Sequence, residues 1–540
     1  MSNPVINQTK LTLQPSFLDQ RLAAFFAPNN PELAHIIKQL SRALSEGHSC
    51  IQLDADQQAI IHANPSEAWV LDDDLLYFNR YYQYETQLAQ HLKRKAAASE
   101  PLGLDAQSLR ALFNDPLQQQ AAELALSKQL ALITGGPGTG KTTTVVKILA
   151  LLIQQHPHAT FALAAPTGKA AMRLQESIAN SKAQLTDLFP AGLLEKIPHQ
   201  VSTLHRLLGA RPLTPEFKHH GENPLSHDVL VVDEASMIDL ALMSKLVNAL
   251  KPNAKLILLG DKDQLASVES GAVLSDCYRA LADNRVELQT TYRFNEQIKQ
   301  LAHAVNQQDA DKVLALCKTA ENRDQQAVIG LKNVQKASEL SGFIQRHYRD
   351  YFAQVETVQS EQDIHALFQI FNQFKILTAT REGEFGLSTF NALSQPNTIL
   401  STWYAGRPVM IEKNDPTTGL YNGDIGLCLP DIHAPNSGQL KVYFLLADQL
   451  RAFVPSRLPS HQTAFAMTIH KSQGSEFAHV MIALGNQLNS QTESLITKEL
   501  LYTAITRAKS QVTLVASDNV LKQCVHNAIQ RHSGLERRLS

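Results

Sequence analysis

Gly135-Gly136-Pro137-Gly138-Thr139-Gly140-Lys141-Thr142 has the spacing G-x-x-x-x-G-K-[ST] of a phosphate-binding loop. Its flanks fit that reading. Gln129-Leu130-Ala131-Leu132-Ile133-Thr134 is a short apolar run of the kind that makes a buried strand, and from Thr143 to Gln155 Val145, Val146, Ile148, Leu149, Leu152 and Ile153 recur at helical spacing. The glycines let backbone N–H groups close around phosphate oxygens, and the helix N-terminus adds a favourable dipole. In that frame residues 135–143 cradle a nucleotide. Lys141 reaches the β- and γ-phosphates, the Thr142 hydroxyl holds Mg2+, and Thr143 completes the turn.

Other stretches supply what such a loop needs. Asp228-Val229-Leu230-Val231-Val232-Asp233-Glu234 is an apolar strand ending in two carboxylates. Asp233 suits a Mg2+ shell, and Glu234 suits a base that orients and deprotonates water. Phosphoryl transfer depends on positioning and electrostatics more than on covalent chemistry, so metal, lysine and base must converge. Lys255 to Leu265 repeats the pattern of strand then polar turn, with Gln264 a candidate reporter of the γ-phosphate. Arg293, after Leu288-Gln289-Thr290-Thr291-Tyr292, and Arg507, in Leu501 to Lys509, are candidate arginine fingers. Gln118 opens a helix just upstream of the loop strand, and its amide can pair with the adenine edge. A strand from Thr160 to Ala165 ends in Pro166-Thr167-Gly168-Lys169, where small and hydroxyl residues admit a phosphate backbone.

Composition bounds the rest. The 540 residues suggest three or four domains, and with 44% hydrophobic residues they can bury real cores. A formal net charge of −2 means that a nucleic-acid partner would have to meet locally gathered basic residues. The five cysteines form no C-x-x-C pair, which fits a reducing, cytoplasmic setting, and no apolar run is long enough to span a bilayer. His219-His220 has no third ligand at metal spacing.

Along the chain, residues 1–103 read as a helical domain without a chemical motif. Tyr77, Phe78, Tyr81, Tyr82 and Tyr84 fall in an aromatic-rich helical stretch, which ends in the basic triplet Lys93-Arg94-Lys95. That triplet is a solvated helix end or part of a partner-docking surface. Ala96 to Gly103 reads as a linker, and residues 209–227 as an inserted hairpin or loop. Helical patterns fill 295–372, a second α/β region starts at Lys375, and short alternating strands between 403 and 461 form a small β insertion.

In order the chain carries GGPGTGKTT, APTGKAA, VVDEAS, GDKDQL, TYRF, TIHKSQGSEF and LYTAITRAK. The set resembles superfamily 1 helicases. GGPGTGKTTT, GDKDQL and AITRAK in particular resemble RecD subunits, the alpha chains of exodeoxyribonuclease V (RecBCD). The resemblance implies an α/β fold of two RecA-like P-loop NTPase lobes, with a small SH3-like β insertion and an N-terminal helical domain. Its boundaries are 1–103, 104–292 and 293–540. It implies ATP and Mg2+, movement from 5′ to 3′ on single-stranded DNA, and work on DNA ends beside RecB and RecC, with the nuclease in RecB. It gives Gln118 to adenine, Gly474 and Glu476 to the nucleotide, and Pro166, Thr167, Thr468 and His470 to the DNA strand. A stand-alone RecD-like helicase and a regulatory subunit with a vestigial ATPase are the alternatives.

Overall fold

The computed structural model describes residues 16–540 apart from 104–105, 212–213, 268, 291–294, 318–326, 332, 397–400, 416, 435–436, 447–448 and 489–492. Arg293 and the rest of TYRF therefore lie outside the described residues.

The N-terminal domain holds the helices Phe17–Phe26, Pro31–Ser45 and Ala55–Ala63, but it is not purely helical. β1 (Ile51–Gln52), β2 (Trp69–Asp72) and β3 (Leu75–Phe78) form an antiparallel sheet in the order β1-β3-β2. Tyr77 and Phe78 thus belong to a strand, correcting the helical expectation. The reason is the hairpin: Asp72 pairs with Leu75, and Asp73 takes the left-handed φ of 53° that a two-residue turn needs.

The helix begins at Asn79 and runs to Ala97, and its end is not solvated at Lys95. The Lys95 ammonium is buried and donates to the carbonyls of Lys251, Pro252 and Ala254 at 3.2, 3.2 and 2.7 Å. Leu88, Ala89 and Leu92 of the same helix join the core of the first lobe. The N-terminal domain is therefore anchored to that lobe through its last helix.

The first lobe is a parallel sheet of β4 (Leu130–Gly135), β5 (Phe161–Ala165), β6 (Ser202–Thr203), β7 (Val229–Val232), β8 (Lys255–Gly260) and β9 (Arg285–Leu288), in the order β6-β5-β7-β8-β4-β9. β4, β7 and β8 are buried throughout, which is why their sequences are unbroken apolar runs rather than alternating ones. Parallel strands put all their C-terminal ends on one edge, and the loop, Pro166-Thr167, Asp233-Glu234 and Asp261 follow four of them.

The second lobe repeats the plan. It begins with β10 (Val328–Leu331) and β11 (Phe374–Thr378). The insertion follows as β12 (Pro408–Ile411), β13 (Ile425–Pro430), β14 (Leu440–Leu446), β15 (Gln449–Phe453) and β16 (His461–Thr463). The lobe then resumes with β17 (Ala466–Thr468), β18 (Phe477–Gly485) and β19 (Ala508–Ala516). The lobe sheet is parallel in the order β10-β19-β18-β11-β17, and the insertion is antiparallel in the order β15-β14-β13-β12-β16.

The last residues do not stay with this lobe. The chain returns to the first lobe and the N-terminal domain. Leu535 and Leu539 pack beside Leu88 and Leu92, and Arg538 pairs with Glu85 at 3.2 Å and Asp72 at 2.5 Å.

Candidate active site

The loop after β4 folds as its glycines require. Gly138 and Gly140 sit at φ of 76° and 79°, and a Cβ on Gly135 would stand 2.7 Å from the Leu288 carbonyl oxygen. Gly140 caps the helix Lys141–Gln155. The Lys141 ammonium donates to the carbonyls of Gly135 and Gly136 at 2.5 and 3.0 Å, and the Thr139 hydroxyl donates to the Gly136 carbonyl at 2.8 Å. The lysine holds the loop closed on itself. A cavity of about 770 Å3 opens beside the loop, walled by Gly136, Pro137, Thr139, Gln289, Lys299 and Tyr502 among others. Gln118 sits half-buried on the helix Pro116–Ser127, outside that wall.

β7 delivers the two acids in the expected place. Asp233 accepts from the Glu234 backbone N–H at 2.8 Å, and Glu234 holds a left-handed φ of 52°. That conformation is unfavourable for a glutamate, and strain of this kind gathers at functional positions. Burial, then the neighbouring Glu234 charge, push the Asp233 carboxyl above its ordinary range, against the opposing charges of Lys141 and Arg173. β8 delivers a third acid, Asp261, only 2% exposed. Burial pushes it up to about 6, with Lys141 pulling the other way. Its Oδ1 accepts from the Asp263 N–H at 3.1 Å. Its Oδ2 accepts from the Gln264 amide at 3.1 Å and from the Tyr502 hydroxyl at 2.9 Å. Gln264 is thus tied to Asp261 within its own turn.

The opposite wall comes from the second lobe. Arg507 is 1% exposed and donates to the carbonyls of Thr503 and Ser475 at 3.1 and 3.3 Å and to the Thr506 hydroxyl at 3.4 Å. Burial lowers its pKa, while the charges of Glu234, Glu476 and Asp261 act to raise it. The lobes are stitched beside it. The Leu265 N–H donates to the Thr503 hydroxyl at 2.9 Å, and the Gln473 amide donates to the Leu265 carbonyl at 2.9 Å.

Gly474 and Glu476 stand farther along the cleft. A Cβ on Gly474 would lie 3.9 Å from Ala170, and Glu476 pairs with Arg173 at 2.8 Å and Lys509 at 3.6 Å. With Lys169 these residues line a smaller cavity of about 270 Å3, separate from the one beside the loop.

Pro166 and Thr167 follow β5, and Thr468 and His470 end and follow β17, so each pair stands at the C-terminal edge of its sheet. The Thr167 hydroxyl caps the next helix by accepting from the Ala170 N–H at 3.2 Å. Thr468 is buried and accepts from the Lys471 N–H at 3.4 Å. Burial, with Arg531 nearby, lowers the His470 pKa.

Thr142 and Asp233 offer hard oxygen donors, and Asp233 sits beside a second carboxylate where a cation would offset charge, so their chemistry fits Mg2+. Among the described residues no three His, Cys, Asp or Glu side chains converge on a metal position.

Sequence reading passed over Asp261 and Tyr502 as partners in the cleft. Asp261 and Tyr502 lie within the motifs GDKDQL and LYTAITRAK, and an acid at a buried strand's end was the available signal.

Residues 118–270 match the family model of an AAA domain, and residues 463–515 match that of a UvrD-like helicase C-terminal domain. The chain is similar to the RecBCD enzyme subunit RecD of Mycobacterium tuberculosis, with 36% identity over 96% of this chain and 93% of that one. It is 34% identical to the RecBCD enzyme subunit RecD of Haemophilus influenzae, over 85% of this chain and 79% of that one. Among solved structures it is similar to a Pif1 helicase from Bacteroides in complex with ADP-AlF3 and ssDNA. The TM-score is 0.42 at 17% identity, covering 77% of this chain and 95% of that one.

Proposed function

The chain belongs to the RecD family of RecBCD subunits, and from that premise we propose how its cleft works. The protein is an ATP-dependent DNA helicase of recombination repair. ATP enters beside the loop, and the helix Lys141–Gln155 presents its N-terminus to the phosphates. Lys141 exchanges the carbonyls of Gly135 and Gly136 for the β- and γ-phosphates. Thr142 and Asp233 hold Mg2+, which supplies charge neutralisation at the phosphates when bound. Glu234 orients the water and takes its proton, Gln264 reads the γ-phosphate, and Arg507 and Arg293 meet the charge that develops as the bond breaks. Gln118 recognises adenine, and Gly474 and Glu476 carry the nucleotide's state toward the strand-contacting residues Pro166, Thr167, Thr468 and His470.

The observation that carries this reading is the position of Arg507. It belongs to the second lobe, is buried, and lies near enough to Glu234 and Asp261 of the first for their charges to act on it. A charge so placed makes hydrolysis depend on lobe closure, and closure that alternates with release moves a motor along a strand.

The motor runs 5′ to 3′ and works in a cytoplasmic heterotrimer with RecB and RecC homologues at DNA ends. The five cysteines, all free thiols, fit that compartment. Docking uses the N-terminal domain, where Phe17, Leu18 and Phe25 are 73, 60 and 77% exposed on one helix. A strand-displacement assay on duplexes with 5′ or 3′ tails tests the proposal. Unwinding from the 5′ tail is expected. Unwinding only from the 3′ tail would overturn the polarity, and ATP turnover without unwinding of either would overturn the motor.

A further inference from the structure

Tyr502 has no part in the roles above, yet it reaches across the cleft from the second lobe to an acid of the first. It lies on the helix Lys498–Ile505, and its ring is buried, 6% exposed. Its hydroxyl donates to Asp261 Oδ2 at 2.9 Å and stands 3.2 Å from where a Cβ on Gly136 would be. Gly136 is the residue whose carbonyl accepts both Lys141 and Thr139. The same side chain therefore borders the phosphate loop and binds the acid that holds Gln264.

We propose that Tyr502 is a positioning residue for hydrolysis: its hydroxyl keeps the Asp261 carboxylate paired so that the Gln264 amide can leave it for the γ-phosphate. The inference rests on the reading of Gln264 as the γ-phosphate reporter. Asp261 Oδ2 has two side-chain donors, Gln264 and Tyr502. When the amide leaves, a buried charged oxygen without a second donor opposes the move, because a carboxylate stripped of partners in a low-dielectric cleft is costly. With Tyr502 in place the oxygen stays satisfied.

Burial and the charges of Asp261 and Asp263 raise the Tyr502 pKa, so the phenol remains a neutral donor, with Arg507 the opposing charge on it. Lys141 and Asp263 face Asp261 from the first lobe. Two backbone contacts pin this turn to the helix of Tyr502 and to Gln473, so the hydroxyl is held in register with Asp261.

Tyr502→Phe removes the hydroxyl and keeps the ring. In DNA-stimulated ATP hydrolysis it is expected to lower kcat on the order of tenfold, the size of a small misplacement at a reacting centre. KM for ATP should change by less than about twofold. In a Gln264→Ala background the added Tyr502→Phe change should alter kcat less than about twofold, because the residue acts through the amide. An equal loss in both backgrounds, or a raised KM at unchanged kcat, would overturn the proposal. Lys141→Gln separates the two levels. Normal hydrolysis in that variant defeats the site reading itself. A dead Lys141→Gln beside a Tyr502→Phe protein of normal kcat defeats only the role of Tyr502.

Discussion

Two buried charged networks join distant parts of this chain, and they are built on opposite principles. At the C-terminal tail, Glu85 is fully buried and fully answered. Its carboxylate accepts from the hydroxyls of Ser49 and Tyr77, each at 2.9 Å, from the Ser533 hydroxyl at 3.2 Å and from Arg538 at 3.2 Å. In the cleft, Asp233 and Asp261 are pushed toward protonation, Glu234 sits in a left-handed conformation, and Arg507 donates to carbonyls and a hydroxyl while the charges of Glu234 and Asp261 act on it. A closed network fixes one arrangement. An open one leaves charge waiting for a ligand, which is what a site for phosphoryl transfer needs.

The sharpest way to break that contrast is Glu234→Gln, which keeps shape and removes the carboxylate proposed as the base. Turnover should fall on the order of 10³-fold with nucleotide binding retained, measured by hydrolysis and by fluorescent-nucleotide titration. Arg538→Ala should do the reverse. Leaving Glu85 buried without its cation should cost about 3 kcal/mol in a denaturant titration, while turnover per folded molecule stays the same.

Acid should separate the regions by a smaller margin. Asp261 has its pKa raised by folding from 3.8 to about 6, so the folded protein binds a proton the unfolded chain has released. Its contribution to stability therefore declines as pH rises through that window. Hydrolysis runs the other way. The charged carboxylate organises Gln264 and Tyr502, so kcat/KM should drop several-fold as pH falls through about 6. Asp74, held below its ordinary value chiefly by its bond to Arg537, has the opposite sign. Its stabilisation is present above the unfolded pKa and is lost as pH falls through the lower folded one, which a pH series of melts would read.

The open network was legible in the sequence, and the closed one was not. The phosphate loop and Asp233-Glu234 stand out because each sets particular residue types at short spacing on one strand or turn, while Arg507 stands out only in the company of the other motifs. Arg538 and Glu85 are separated by 453 positions. No local pattern marks either, since a glutamate and an arginine on helices read as solvated charges until their partners are known. Lys95 misled for the same reason: three carbonyls from residues 251–254 receive its ammonium, and only the packed helix brings them there. Tyr77 and Phe78 read as helix because aromatic residues continue from them into a true helix, whereas the left-handed Asp73 turn decides for a strand. Asp261 lay inside a recognised motif, but its pairing with Tyr502 spans the lobes and has no linear signature.

The central claim is that ATP is hydrolysed at the Gly135 to Thr142 loop. DNA-stimulated ATP hydrolysis by a purified Lys141→Gln variant tests it most directly. The account predicts that hydrolysis is abolished with an unchanged circular-dichroism spectrum and melting curve. Undiminished hydrolysis by that variant would contradict it.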